Sequence, residues 1–204
     1  MLTTKMKVYG HLNSGNCYKV YLALTQLHIP FDWINVNAVN KEETRRPEFL
    51  AMNPNGKVPL LEIAPGQYLP ESNAILHYLA EGTALCPTDR YLHAQVLQWL
   101  FYEQYSHEPY IATSRYVVKL LGNPEDRQVD LARWKKPGTT ALELMNAHLK
   151  SQPFFVGGQY SIADIALFAY THVADEGNFD LSIYPHLNAW IARVKQQTDF
   201  VAMP

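Results

Sequence analysis

Two side chains with hydrogen-bond donors, Ser14 and Asn16, lie in the turn between a predicted strand and a predicted helix. The N-terminus of a helix favours negative charge, so this hydroxyl and this amide would suit a bound thiolate. A hydrogen bond to a charged group contributes about 1.5–3 kcal/mol, enough to bring a thiol pKa of about 8.5 close to neutrality. The alternative is that Ser14 only caps the helix, since it lacks the G-x-S-x-G context of an acyl-transfer serine.

The thiol of Cys17 follows directly, but its position indicates the protein core. It begins an apolar stripe with the period of a helix. The members of that stripe are Cys17, Val20, Tyr21, Leu24 and Leu27. A buried thiol has a raised pKa and behaves as a small apolar side chain. The turn also lacks the first cysteine of a C-x-x-C pair, so we do not expect dithiol redox chemistry from the protein alone.

A second candidate site precedes the helix predicted to begin near Ser72. We expect Ser72 to be its N-cap, where a hydroxyl and unpaired amides suit a carboxylate. Glu71 would pair with an ammonium of the same ligand. The simpler interpretation is a cap without a ligand, and both can hold because a ligand would use amides that the cap leaves unpaired.

Lys57, Val58 and Pro59 open a predicted strand. A residue before proline is held in an extended conformation. Taken alone, Pro59 is a strand-initiating residue and Lys57 is a solvated charge.

A further helix, from about Arg90, is rich in aromatic residues. Its rings include Tyr102 and Tyr105, with His107 following, and most of its rings are expected in the core or in a subunit contact. Other ligands at metal-binding spacing are missing near His107, so we expect no metal site there.

The first part of the chain alternates between strand and helix periods. Strands are predicted at residues 6–9, 31–36, 58–63 and 68–69, with helices from 17 and from 72. Beyond a boundary at residues 82–88 the sequence is helical. Ser161 and Asp164 there form a predicted capping box before an apolar run.

The whole chain has 204 residues, a net charge of −2 and two cysteines. The charge gives no reason to expect nucleic acid or a membrane as a partner. The cysteine number, the missing signal peptide and the missing apolar span predict a cytoplasmic protein.

Together, Ser14–Cys17, Asn53–Pro59 and Pro70–Ile75 resemble the thioredoxin-like domain of the cytosolic glutathione S-transferases of bacterial type. The capping box, and the run from Tyr184 to Trp190, are similar to the helical domain of that family. The resemblance implies an α/β thioredoxin-like N-terminal domain, residues 1–81, and a linker, 82–88. An all-α C-terminal domain, 89–204, follows, and the protein would be a homodimer.

The same resemblance implies roles for individual residues. Ser14, with Asn16 as a second donor, would bind the glutathione sulfur. Val58, before a cis Pro59, would pair with the peptide backbone, and Lys57 would contact a glutathione carboxylate. The γ-glutamyl end would bind at Glu71 and Ser72. Thr44 stands where relatives carry a His or Gln at the glycyl end, and Tyr102, Tyr105 and His107 would border the electrophile pocket.

The implied activity is conjugation of the glutathione thiolate to a soft electrophile, a detoxification reaction that needs glutathione as co-substrate and no other cofactor. Two alternatives remain open on the same fold. One is a glutathione-dependent disulfide or peroxide reductase, and the other is a glutathione-binding module without enzymatic activity.

Overall fold

The computed structural model describes residues 5–39 and 41–204, which form two compact units. The unit that we call the N-terminal domain contains the chain up to Glu81 together with Thr198–Pro204. The C-terminal domain contains Gly82–Gln197. The sequence predicts a helical domain over residues 89–204, whereas in the structure Thr198–Pro204 belong to the N-terminal domain.

The described residues of the N-terminal domain form four strands and three α-helices, with a short 3-10 turn at Glu43–Arg45. Its elements in chain order are β1 (Met6–Gly10), α1 (Gly15–Gln26), β2 (Phe31–Asn35), α2 (Pro47–Met52), β3 (Leu60–Ala64), β4 (Gln67–Pro70) and α3 (Ser72–Ala80). The strands form one sheet in the order β2-β1-β3-β4. β1 and β2 are parallel, and the other two pairs are antiparallel. The predicted α/β unit with mixed strand directions is confirmed.

The core of this domain explains how two helix ends are positioned. A parallel strand pair needs a crossover, which α1 supplies between β1 and β2. The apolar faces of α1 and α3 pack with the sheet in one buried cluster. Its members are Val8, Val20, Leu24, Leu61, Ile75 and Leu79. Because both helices share this cluster, their N-terminal turns are fixed relative to each other.

Residues Thr198–Pro204 are attached to the N-terminal domain through α1. The Tyr18 hydroxyl donates to the carbonyl of Val201 at 2.6 Å, and burial raises the Tyr18 pKa. The Gln26 amide donates to the carbonyl of Thr198 at 3.2 Å. These polar contacts explain why Thr198–Pro204 join the N-terminal domain. The hydrophobic pattern of the sequence does not reveal them, so the predicted domain boundary differs.

The C-terminal domain is helical, as predicted. Its helices are α4 (Arg90–Tyr102), α5 (Glu108–Arg115), α6 (Gln128–Leu149), α7 (Ile162–Thr171) and α8 (Pro185–Lys195). Wide π-helical turns follow α4 and α5, at Glu103–His107 and Tyr116–Leu120. Every residue of α7 is buried, so this helix forms the centre of the domain.

The predicted capping box at the start of α7 is present. The Asp164 carboxylate accepts the amide proton of Ser161 at 2.9 Å. Its other oxygen accepts the indole proton of Trp190 at 2.8 Å and the amide proton of Phe155 at 3.1 Å. One buried carboxylate therefore joins α7, α8 and the segment before α7. Within residues 5–39 and 41–204, no helix is long and apolar enough to cross a bilayer.

Candidate active site

The turn that leads into α1 presents Ser14 as a half-buried N-cap residue with an extended backbone, φ −84° and ψ 122°. Its amide donates to the carbonyl of His11, and its carbonyl accepts from Tyr18, both at 2.9 Å. Among the described residues, no amide of α1 uses the Ser14 hydroxyl as a cap. That hydroxyl instead bonds with the sulfur of Cys17. The capping interpretation of Ser14 therefore accounts for its backbone and leaves its hydroxyl available to a ligand that outcompetes Cys17.

Cys17 is fully buried, as the apolar stripe of α1 predicts. Its sulfur accepts the amide proton of His11 at 3.4 Å. Burial raises the pKa of the thiol to about 11, although the bonds from His11 and Ser14 and the charge of Lys19 act in the opposite direction. A thiol with this pKa is protonated at neutral pH and makes a poor nucleophile.

Asn16 is connected to the start of α3 by a chain of hydrogen bonds. The Ser72 hydroxyl donates to Oδ1 of Asn16 at 3.1 Å. The Lys19 ammonium lies 3.4 Å from the Ser72 hydroxyl and 3.4 Å from Oδ1 of Asn73. The two helix ends that the sequence analysis treated separately are thus parts of one polar network.

Lys19 and Asn73 are members of this network that the sequence analysis missed. A signal for Lys19 was present, because it is a charged residue within an apolar helix, three residues after Asn16. The pattern alone does not show which way such a long side chain turns.

The start of α3 differs from the prediction by one residue. Ser72 is the first helical residue and Glu71 is the N-cap, with φ 70° and ψ 110°. A positive φ is uncommon for a residue with a side chain and costs about 1–3 kcal/mol, and such residues cluster at functional sites. Because the Ser72 hydroxyl is engaged with Asn16 and Lys19, the anion-binding capacity of this helix end comes from its first-turn amides and its dipole.

The segment before β3 also has the arrangement that the resemblance implied. The Val58–Pro59 peptide bond is cis. Val58 is half-buried and Lys57 is exposed, so both remain accessible. The side-chain amide of the buried Asn53 donates to the carbonyl of Lys57 at 2.8 Å and holds the segment in place.

Thr44 lies in the 3-10 turn and is buried. Its hydroxyl donates to the carbonyl of Lys41 at 3.2 Å. The turn is tightly closed, because a Cβ added to Gly56, whose φ is +61°, would lie 2.9 Å from the carbonyl oxygen of Thr44. In this arrangement the buried Thr44 side chain stabilises its own loop. The expectation that Thr44 contacts the glycyl end of glutathione is therefore corrected.

The C-terminal domain contains a groove of about 460 Å³ that includes two of the three predicted aromatic candidates. We call it the α4–α6 groove. Its lining residues are Tyr102, Tyr105, Ser106, Tyr110, Lys136, Pro137, Thr140, Ala141 and Leu144. Its volume falls within the range of small-molecule sites. The Tyr102 hydroxyl donates to the carbonyl of Ala141 at 3.1 Å, and burial raises the Tyr102 pKa to about 12.

His107 has a different environment from the two tyrosines. It is fully buried, and its Nε2 lies 2.9 Å from the hydroxyl of Thr171 on α7. The π-helical turn changes which residues face inward, so that Tyr105 is exposed while His107 enters the interior. The expectation that His107 borders a substrate pocket is therefore corrected, and we assign it to the packing of the domain.

Comparison with known proteins agrees with both domains. The family described as glutathione S-transferase, N-terminal domain, matches residues 4–81, and the C-terminal domain family matches residues 128–193. A crystal structure of a glutathione S-transferase from Pseudomonas fluorescens Pf-5 is 50 % identical, with a TM-score of 0.95. That similarity covers 98 % of this chain and 99 % of the other. The chain belongs to the glutathione S-transferase family.

Two curated relatives show the range of proteins built on this fold. The disulfide-bond oxidoreductase YfcG of Escherichia coli is 29 % identical over 189 residues, which is 89 % of this transferase-family chain and 86 % of YfcG. Elongation factor 1-gamma of Artemia salina is 32 % identical over 202 residues. That match covers 97 % of this chain but only 46 % of the elongation factor, so the chain spans about half of that relative.

In this member of the glutathione S-transferase family, the predicted site residues fall into separate groups. Asn16 and Ser72 are hydrogen-bonded to each other, and Ser14 lies two residues before Asn16 in the same turn. Tyr102 and Tyr105 line one groove. The network between α1 and α3 therefore brings two of the predicted site residues, Asn16 and Ser72, into direct contact.

Proposed function

We propose that the protein is a glutathione S-transferase that binds glutathione in its N-terminal domain. Four features support this binding site. The first turn of α3, after the strained Glu71, suits the γ-glutamyl carboxylate, and the Glu71 side chain suits its ammonium. The backbone of Val58 is available to pair with the peptide, and the exposed Lys57 offers a charge to a carboxylate.

The sulfur of glutathione would be handled by Ser14 and Asn16. The observation that carries this assignment is the α1–α3 network, which places an amide at the α1 turn in direct contact with Ser72. The thiolate then attacks a soft electrophile, a carbon–sulfur bond forms, and the leaving group departs with its electron pair. The chain contributes thiolate stabilisation and orientation and no covalent nucleophile.

The electrophile would bind against the aromatic rings of the α4–α6 groove. Its lining combines tyrosine rings with the exposed Lys136, which suits a small aromatic acceptor with a polar substituent. Tyr105→Ala should then raise the KM for an aryl halide several-fold and leave the KM for glutathione unchanged.

The test of the proposed function is a comparison of three measurements on the purified protein. Calorimetry should show glutathione binding, and conjugation to 1-chloro-2,4-dinitrobenzene should exceed turnover of a disulfide such as hydroxyethyl disulfide. Binding without turnover of either substrate would indicate a binding module and would contradict the enzymatic proposal.

A disulfide reductase is the second candidate, and the similarity to YfcG favours it. In that reaction one glutathione thiolate attacks the substrate disulfide, and a second glutathione attacks the mixed disulfide. The products are glutathione disulfide and two substrate thiols. Ser14 and Asn16 would serve this chemistry too, so faster disulfide turnover than aryl halide turnover would identify it.

We also propose a homodimer in the cytoplasm, with a role in detoxification. Exposed aromatic residues on α4 support the dimer, since a second copy of the chain would cover them. The two buried cysteine thiols, Cys17 and Cys86, are consistent with a reducing compartment.

A further inference from the structure

A lysine side chain is completely buried at the centre of the α1–α3 network. The exposed fraction of Lys19 is 0 %, and it is among the largest fully buried side chains of the described chain. Its Nζ is 3.4 Å from the Ser72 hydroxyl and 3.4 Å from Oδ1 of Asn73. Burying an ammonium is unfavourable unless polar or charged partners compensate for the lost hydration, so a lysine is rarely buried completely.

The chemistry of an ammonium sets the direction of the hydrogen bonds around it. A lysine ammonium has three donors and no acceptor, so the Ser72 oxygen must accept from Lys19. A serine hydroxyl has a single proton, which must then point elsewhere. In this structure it points to Oδ1 of Asn16, at 3.1 Å.

The same reasoning fixes the orientation of the Asn16 amide. Because Oδ1 of Asn16 accepts from Ser72, its NH₂ group is turned away from Ser72. Without the ammonium, Ser72 could accept from Asn16 instead, and the amide could flip so that its oxygen faced the ligand. An oxygen in that position would repel a thiolate, whereas the NH₂ group would donate to it.

We propose that Lys19 is a positioning residue, which fixes the hydrogen-bond direction through Ser72 so that Asn16 presents its NH₂ group to the sulfur of glutathione. This inference rests on the proposed glutathione site and adds to it a residue that does not touch the substrate. The charge of Lys19 already reaches this turn, since it lowers the pKa of the Cys17 thiol.

The first experiment compares the unaltered protein with Lys19→Met and Lys19→Gln. Methionine removes the donors at similar volume and also removes the unfavourable desolvation of a buried ammonium. Glutamine keeps polarity but can turn an acceptor toward Ser72. In both variants we expect the pKa of bound glutathione, followed by thiolate absorbance, to rise by about one pH unit and kcat to fall. Thermal unfolding confirms that the measured variant is folded.

The matched control is Lys7→Met. Lys7 lies on β1 of the same domain, is partly exposed and pairs with Glu62 at 3.2 Å. Lys7→Met removes the same charge without altering the α1–α3 network, so the pKa of bound glutathione should stay unchanged. An equal rise in the control and in Lys19→Met would overturn the proposal in favour of a general effect of net charge.

A double-mutant cycle with Asn16→Ala separates positioning from a direct electric field. If Lys19 acts through the Asn16 amide, Lys19→Met should have little further effect on the thiol pKa once Asn16 is alanine. A full rise of the thiol pKa in the Asn16→Ala background would overturn the positioning role.

Calorimetry with glutathione on the unaltered protein comes first, because a failure to bind would contradict the proposed function itself. Normal binding with an unchanged Lys19→Met variant would contradict only this inference.

Discussion

At the scale of single residues, three groups within the first turn of α1 have the chemistry to handle sulfur, and their surroundings separate them. Cys17 is fully buried with a thiol pKa of about 11. Ser14 and Asn16 are half-buried, so a ligand can reach them. The hydroxyl of Ser14 now bonds with Cys17, and a glutathione thiolate would be a stronger acceptor for it than a neutral thiol.

Removing the Ser14 hydroxyl should therefore affect the bound thiol most. We expect Ser14→Ala to raise the pKa of bound glutathione by about one pH unit or more and to lower kcat, since about 1.5–3 kcal/mol of hydrogen bonding is lost. Asn16→Ala should act in the same direction and less strongly. Titration of thiolate absorbance in the two complexes measures both effects.

Cys17→Ala is the matched variant in the same turn. It should leave the pKa of bound glutathione near its original value and reduce the free energy of unfolding by roughly 1 kcal/mol, because it trims a small core side chain. If Cys17→Ala alone abolished activity while Ser14→Ala did not, a mixed-disulfide mechanism would replace the noncovalent one.

A separate expectation concerns Ser72. Ser72→Ala should weaken glutathione binding at least several-fold, because the hydroxyl links the α3 end to Asn16 and Lys19. Calorimetry measures the change, and Ser151→Ala, at an exposed position after α6, is the control. Unchanged affinity in Ser72→Ala would mean that the link from α3 to Asn16 and Lys19 does not contribute to glutathione binding.

At the scale of elements, local patterns predicted the four strands and the helices α1 and α3 but missed α2, and they could not show what depends on packing. Ser161 and Asp164 predicted the start of α7 because a capping box is a local interaction. The N-cap of α3 was predicted one residue late, since Glu71 adopts a positive φ that its residue type does not suggest. The burial of Lys19 depends on α3 lying beside α1, which the sequence of α1 alone does not reveal.

Asp164 allows a test of how α7 is held. Burial raises its pKa from an ordinary 3.8 to about 6, although bonds from Trp190, Phe155 and Ser161 oppose the rise. Between these values the folded protein keeps a proton that the unfolded chain releases. The stability that Asp164 contributes should therefore be complete below about pH 4 and should decrease as the pH rises to about 6.

The measurement is the difference in unfolding free energy between the unaltered protein and Asp164→Asn at several pH values. The other titratable groups are the same in both proteins and cancel in the difference. Because asparagine does not titrate, the remaining pH dependence is that of Asp164. We expect the advantage of the unaltered protein to shrink by up to about 3 kcal/mol from pH 4 to pH 7. An advantage that grows with pH would mean that the hydrogen bonds outweigh burial.

At the scale of the whole molecule, two strongly exposed aromatic rings lie on the same helix, α4. On α4 the exposed residues after the first position, Arg90, are Tyr91, Ala94, Gln98 and Phe101, at spacings of three and four residues. Tyr91 is 70 % exposed and Phe101 is 69 % exposed. Single exposed apolar residues are ordinary, whereas a stripe along one helical face is typical of an interface. The sequence predicted an aromatic-rich helix here, but only the structure separates the rings that enter the core, such as Trp99, from those that face outward.

A second copy of the chain would cover this stripe, because closed symmetric dimers bury the same surface on both partners. Light scattering at micromolar concentration should therefore give a mass of about twice the 23.3 kDa of one chain. The double variant Tyr91→Glu with Phe101→Glu should shift the mass toward one chain, since it places charges in an apolar contact. Val129→Glu, at an equally exposed position on α6, should remain dimeric. A single-chain mass for the unaltered protein would contradict the dimer, and a dimeric double variant would move the interface away from α4.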